Sequence, residues 1–98
     1  MNYNFVWDHR KERKNIQKHK VSFEEAATIF CDPNAMSIYD EKHSVIEDRW
    51  ITLGFASSGR LIVVCHTFCV RDARNCTIRI FSARKSTRRE KMQYGGQQ

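Results

Sequence analysis

The stretch Trp7–Ala26, WDHRKERKNIQKHKVSFEEA, decides how this chain folds. Its first half reads as a helix almost without apolar residues: between Asp8 and Lys18 only Ile16 is large and apolar. Asp8 is placed to cap that helix, because its carboxylate can accept from the first free backbone amides. The chain leaves the helix near His19-Lys20. Ser22-Phe23-Glu24-Glu25 then has the form of a capping box, with Val21 just ahead of the cap. The helix that follows carries Phe23, Ala26, Ala27 and Phe30 at spacings of three and four, a core stripe. Asp32-Pro33-Asn34 stops it. The second helix thus belongs to the core. The first reads as a displayed polar surface, anchored by Phe5, Trp7 and Ile16, and a polar helix either lies in solvent or meets a partner.

Outward from these helices the pattern changes to strands. Tyr3–Trp7 alternates aromatic and small or polar residues, as a short first strand does. Ala35–Tyr39 reads as a strand, followed by a polar loop from Asp40 to Glu47. Arg49–Phe55 alternates, Ser57-Ser58-Gly59 makes a turn, and Leu61–Phe68 is the apolar run of a central strand. A second turn at Arg71–Asn75 leads to a strand at Thr77–Phe81. Thr87-Arg88-Arg89-Glu90 caps a short last helix ending near Tyr94. The class expected is α+β: an N-terminal strand and two helices, an antiparallel meander of three to four strands, and a C-terminal helix. With 98 residues and no internal linker, one domain over residues 1–94 is expected, with residues 95–98 as a flexible tail.

Charge narrows the function. The net charge is +6 and the pI about 9.4, which favours a polyanionic partner. Six Lys or Arg lie between Arg10 and Lys20 against Glu12 alone, and six more between Arg79 and Lys91 against Glu90 alone. The segment Ser22–Trp50 between them is acidic. Two basic ends around an acidic middle predict one assembled basic face. No signal-peptide pattern or membrane-length apolar run is visible, so a cytoplasmic protein with reduced cysteines and no membrane partner is expected. Cys65-His66 with Cys69 fits no zinc spacing, and neither a metal site nor a cofactor is expected. A Gly-rich phosphate loop, HExxH and GxSxG are all absent, which argues against nucleotide-dependent enzymes and serine hydrolases.

The candidate residues follow from spacing. Lys11, Asn15 and His19 fall at i, i+4 and i+8, on one helix face bordered by Lys18. Arg79 lies on the opposite strand face from Ile78 and Ile80, and Arg84 follows before the last helix. Both arginines can fork onto a phosphate or pair with a carboxylate. Glu47 and Arg49, two apart, share a face at a strand start. Lys85 and Arg88 extend the basic set. His66, inside the apolar strand, reads as a hydrogen-bonded core residue, and His9 and His43 as surface residues. Cations, histidines and a carboxylate without a metal cluster suit RNA cleavage in which the 2′-OH attacks its own phosphate. In that reading Arg79 and Arg84 hold the phosphate. His19, with Glu47 as the alternative, moves protons. Lys11, Asn15, Lys18, Arg49, Lys85 and Arg88 bind RNA. A non-catalytic nucleic-acid-binding or co-repressor module fits the same charge pattern.

The residues also carry a family resemblance. Phe5, Trp7, Asp8, Lys11, Asn15, Lys18-His19, Val21, Phe23 and Glu25-Ala26 form a pattern that resembles the opening of the BrnT-type toxins, formerly a domain of unknown function. Phe30, Asp32-Pro33, Glu47-x-Arg49, Gly54, Val63-Val64 and His66-Thr67 continue it. Arg79-Ile80-x-Ser82-Ala83-Arg84-Lys85, Thr87-Arg88-Arg89-Glu90 and Tyr94 close it. The resemblance implies a RelE-like fold and a ribonuclease toxin of a type II toxin–antitoxin system. It also implies a BrnA-type antitoxin partner in a two-to-two complex that reaches operator DNA only through the antitoxin. Carried over by position, it favours Arg79 and Arg84 at the scissile phosphate, with Arg49 and Lys11 as helpers. The chain departs from the pattern at Lys20, where the family has glycine, at Val6, and in the longer Cys69–Cys76 segment. A lysine at a positive φ costs stability.

Overall fold

The computed structural model describes residues 1–96. Its elements run β1 (Asn2–Val6), α1 (His9–His19), α2 (Phe23–Ala27) continued by a 3-10 turn (Thr28–Cys31), then β2 (Met36–Tyr39). A 3-10 turn at Glu41–His43 precedes β3 (Trp50–Phe55), β4 (Leu61–His66), the short β5 (Cys69–Val70), β6 (Asn75–Lys85) and α3 (Arg88–Gly95). The class is α+β, as the sequence predicts. The last helix runs to Gly95, and residues 97–98 of the expected tail lie outside the described residues.

The sheet order is β1-β6-β4-β3-β2, with β5 also on β6. β2, β3, β4 and β6 make the antiparallel meander. The expected meander omits one feature: β1 joins it in parallel, pairing Asn2–Val6 with Asn75–Arg79. That pairing joins chain ends, so no local pattern announces it. β6 is also longer than the predicted Thr77–Phe81. Its last residues, Ser82 to Lys85, pair with Ile62–Cys65 although most are polar.

Two apolar clusters hold the sheet. On one face Val21, Phe23, Ala26 and Ile29 from the helical segments bury Ile62, Val64, Ile78, Ile80 and Ala83. On the other, Tyr94 of α3 packs on Leu53, Leu61 and Val63. β4 alternates between the two clusters and is buried on both sides, which is why it reads as a continuous apolar run. Gly54 lets the 3-10 turn approach β3: a Cβ there would lie 3.1 Å from the Ala35 Cβ and 3.3 Å from Ile29 Cβ.

The caps are mostly those expected. Asp8 accepts from the amides of Arg10 and Lys11, Ser22 Oγ accepts from the Glu25 amide at 3.0 Å, and Thr87 with Glu90 forms a complete capping box. The Ser22 box is only half made. Glu25 turns to Arg60 and Ser58 in the β3–β4 turn, and Glu12 of α1 instead accepts the Phe23 amide at 2.9 Å. Lys20 adopts φ 59°, ψ 34°, the left-handed conformation that favours glycine.

The polar helix is where the structure corrects the sequence most. Ile16 is 40% exposed and belongs to neither apolar cluster. Asn15, expected on the displayed RNA-facing surface, is 7% exposed. Its Nδ2 donates to the carbonyls of Val21 (2.9 Å) and Ala83 (2.8 Å), and its Oδ1 accepts from the Ala83 amide (3.1 Å). The reason lies in the sheet. β1 pairs with β6 only as far as Arg79. Beyond it the edge of β6 would leave Ala83 N–H and C=O unpaired, and buried backbone groups need partners. The Asn15 amide supplies both, standing in for a strand. Of its line with Lys11 and His19, Asn15 alone is buried: His19 is half-buried and Lys11 stays exposed.

Candidate functional site

β6 carries a bulge. Cys65 pairs with Ser82 and His66 with Ile80, so Phe81 has no opposite residue. In a regular strand Arg79 and Arg84, five apart, would point to opposite faces. The extra residue shifts the alternation by one. Ile80 and Ala83 therefore both enter the helix-side core. Arg79, Phe81, Ser82 and Arg84 fall on the other face, the one α3 covers only at its far end.

The Phe81 ring is the centre of that face. The Arg49 guanidinium lies 4.2 Å from its centroid, that of Arg79 4.8 Å, and Lys11 Nζ 5.3 Å. A cation over an aromatic face is attracted by the ring quadrupole. Glu47 pairs with Arg79 and lies 3.8 Å from Arg49. Lys11, Glu47, Arg49 and Arg79 therefore converge, Lys11 from α1, Glu47 and Arg49 from the β2–β3 loop and Arg79 from β6. Three cations gather at the ring with a single carboxylate beside two of them, so the patch keeps a positive excess. Arg49 Nε, like Trp7 Nε1, is buried without a hydrogen-bond partner among the described residues.

The other predicted residues lie elsewhere. Arg84 grips Glu90 with both fork ends, at 2.7 and 2.9 Å. The same Glu90 accepts the Thr87 amide, so the pair fastens the start of α3. Arg84 holds the Glu90 carboxyl down to about 2, with the Thr87 amide assisting. His19 ends α1, eight residues beyond Lys11 and therefore about 12 Å along the helix axis. Lys18, Lys85 and Arg88 are exposed.

His66 is a core residue, as expected. It is 2% exposed, with Nδ1 2.8 Å from the Thr67 carbonyl and Nε2 2.6 Å from Thr52 Oγ1. A carbonyl only accepts, so Nδ1 carries the proton and Nε2 accepts from Thr52. Thr52 in turn accepts from Ser37, at 2.7 Å. Burial lowers the His66 pKa, against the raising effect of the Thr67 carbonyl. These groups line an aromatic-walled cavity of about 390 Å³ on the opposite sheet face, between Tyr3, Phe30, Trp50 and Phe68. The His66 and Thr52 polar atoms there are already paired.

Two residues of the site escape sequence reasoning. Phe81 is hidden because an outward aromatic in a strand resembles a core residue. His43 reads as a surface histidine, yet it lines a second cavity of about 280 Å³ with Asp40, Arg49, Ile51, Phe81 and Ser82. The sequence offers one clue, the spacing Asp40-x-x-His43, which lets one turn pair the two side chains. Among the described residues no three His, Cys, Asp or Glu side chains gather as metal ligands would, and no helix is long and apolar enough to cross a membrane.

Fold and site together define a small basic α+β protein with a cluster of cations around an aromatic ring on an open sheet face. The comparisons agree with that class. The family model described as the ribonuclease toxin, BrnT, of type II toxin–antitoxin systems matches residues 7–90, and the chain belongs to that family. The crystal structure of the Brucella abortus ribonuclease toxin BrnT superposes with a TM-score of 0.65, covering 89% of this chain and all of that one at 18% identity, a likeness of fold. No curated protein sequence matches significantly. Membership in a type II toxin family implies an antitoxin partner.

Proposed function

We propose that this protein is an endoribonuclease toxin that cleaves RNA without a metal ion, inhibits translation and growth, and is neutralised by a BrnA-type antitoxin. The observation that carries the reading is the convergence of Lys11, Arg49 and Arg79 on Phe81 beside Glu47. Single-stranded RNA offers such a patch phosphates for the cations and base faces for the ring. In the reaction the 2′-oxygen bonds to phosphorus and the bond from phosphorus to the 5′-oxygen breaks. Charge grows on the phosphoryl oxygens, where a preorganised Arg79–Arg49–Lys11 set is most effective. Glu47, held by two arginines, is positioned to accept the 2′-OH proton. This moves the role given to His19 onto Glu47, because His19 lies a helix-length from the patch. Arg84 acts one step back, by seating α3, while Lys18, Lys85 and Arg88 extend the path of the RNA.

In this reading the toxin works in the cytoplasm as one domain over residues 1–94, pairs two to two with its antitoxin, and reaches operator DNA only through it. The test is expression of the chain alone and with the antitoxin, followed by mapping of RNA ends. Growth arrest with 2′,3′-cyclic phosphate ends is expected, both abolished by Arg79→Ala. Full toxicity of that variant would refute the site. Salt-dependent RNA binding by purified protein that never cuts would favour a non-catalytic module instead.

A further inference from the structure

The patch contains a proton acceptor, Glu47, but its arginines cannot release a proton at neutral pH. The departing 5′-oxygen needs one. The β2–β3 loop places a donor, His43, on a cavity that shares Arg49 and Phe81 with the patch. His43 Nδ1 lies 2.9 Å from Asp40 Oδ2, and Asp40 Oδ1 also accepts the His43 backbone amide at 3.4 Å. An ionised carboxylate only accepts, so Nδ1 bears the proton shared with Asp40 and Nε2 is left for another partner. Asp40 is largely covered, with a side chain 13% exposed, whereas that of His43 is 58% exposed. The histidine is reachable and its anchor is not.

The loop that presents this pair is fastened at its base. The Asp40 amide donates to the Arg49 carbonyl at 2.9 Å. Ser44 Oγ donates to the Asp40 carbonyl at 2.6 Å and accepts from the Arg49 amide at 2.9 Å. His43 and Arg49 are thus held in one frame, and both line the 280 Å³ cavity that Phe81 and Ser82 also line. A ligand on Arg49 and Phe81 meets His43 on the cavity wall.

We propose that His43, positioned by Asp40, is the general acid of RNA cleavage at this site, an inference that rests on the ribonuclease reading above. As the 2′-oxygen bonds to phosphorus, its proton passes to Glu47. As the bond from phosphorus to the 5′-oxygen breaks, the Nε2 proton of the protonated imidazole passes to that oxygen. The products are a 2′,3′-cyclic phosphate and a 5′-hydroxyl, and exchange with water restores both groups. Imidazole suits the task because it gives and regains a proton near neutral pH. His43 is the catalytic group, and Asp40 acts through it.

A leaving group that needs no proton isolates this role. Full-length protein is assayed on a short RNA with an ordinary 5′-oxygen at the scissile bond and on the same RNA with 5′-sulfur there. His43→Ala is expected to lower kcat on the oxygen substrate about 100- to 1,000-fold, and to cleave the sulfur substrate within about tenfold of the unmutated chain. Asp40→Asn should show a smaller loss, about tenfold, that the sulfur substrate also removes. Arg79→Ala should lose both substrates. Unchanged cleavage of the oxygen substrate by His43→Ala overturns the assignment, as does equal loss on both substrates in a variant with an unchanged circular dichroism spectrum. If the unmutated chain cuts neither substrate, the ribonuclease reading fails and this role with it.

Discussion

Asn15→Ala separates a structural amide from an RNA-binding one. The substitution removes three hydrogen bonds, to Val21 O, Ala83 O and Ala83 N. Each is worth about 1 kcal/mol net, and a buried backbone group left without any partner costs about 1–3 kcal/mol. Water entering the space left behind offsets part of this. The expected loss is therefore about 3 kcal/mol, a large share of the roughly 5–15 kcal/mol typical of a domain. In urea, with a slope of about 1–1.5 kcal/mol per molar for a chain this size, the midpoint should fall by about 2–3 M at unchanged slope. Asn15→Asp should be worse, because a carboxylate oxygen would then face two carbonyls. Lys11→Ala is the control, since it should weaken RNA binding while changing stability by less than about 0.5 kcal/mol. A loss under about 1 kcal/mol for Asn15→Ala, together with weakened RNA binding, would refute the argument that this amide replaces a strand.

Lys20→Gly should stabilise the protein by about 0.5–1 kcal/mol, read as a raised melting temperature, because Lys20 sits at φ 59° where a Cβ is penalised. Glu90 has its folded-state pKa depressed from 4.5 to about 2 by Arg84, so the stability it contributes is present above about pH 4.5 and fades as pH falls through 2. Glu90→Gln should therefore lose on the order of 1 kcal/mol at pH 7, after allowance for solvent screening, with the difference vanishing near pH 2 in acid titrations of unfolding. RNA affinity should fall with salt at a log–log slope of about −4, as about six phosphate-neutralising cations on a single strand imply, the three of the patch and the three that extend the path. Arg79→Ala should flatten that slope by about 0.7 in fluorescence titrations.

Much of this was readable from local pattern. The caps at Asp8, Ser22 and Thr87 and the two-sided burial of β4 all follow from interactions within a few residues, so propensity and periodicity report them. The basic character of the site residues was equally plain, since Arg79, Arg49 and Lys11 stand out in any reading of charge. Their partners were not. The opposition of Phe81 to three cations joins α1, the β2–β3 loop and β6, and no spacing along the chain encodes it.

The sequence by itself determined the α+β class, the helix caps at Asp8, Ser22 and Thr87 and the excess of positive charge, because these depend on short-range sterics and on composition. Only the tertiary structure decided the rest. Where β1 stops along β6 set whether Asn15 faced water or the edge of the sheet. One bulged residue at Phe81 put Arg79 and Arg84 on the same face. A closed loop brought His43 beside Arg49. Each depends on backbone pairing between distant segments. A one-residue shift in such pairing turns a side chain from one face to the other, and the residue's own identity carries no record of which face it will be.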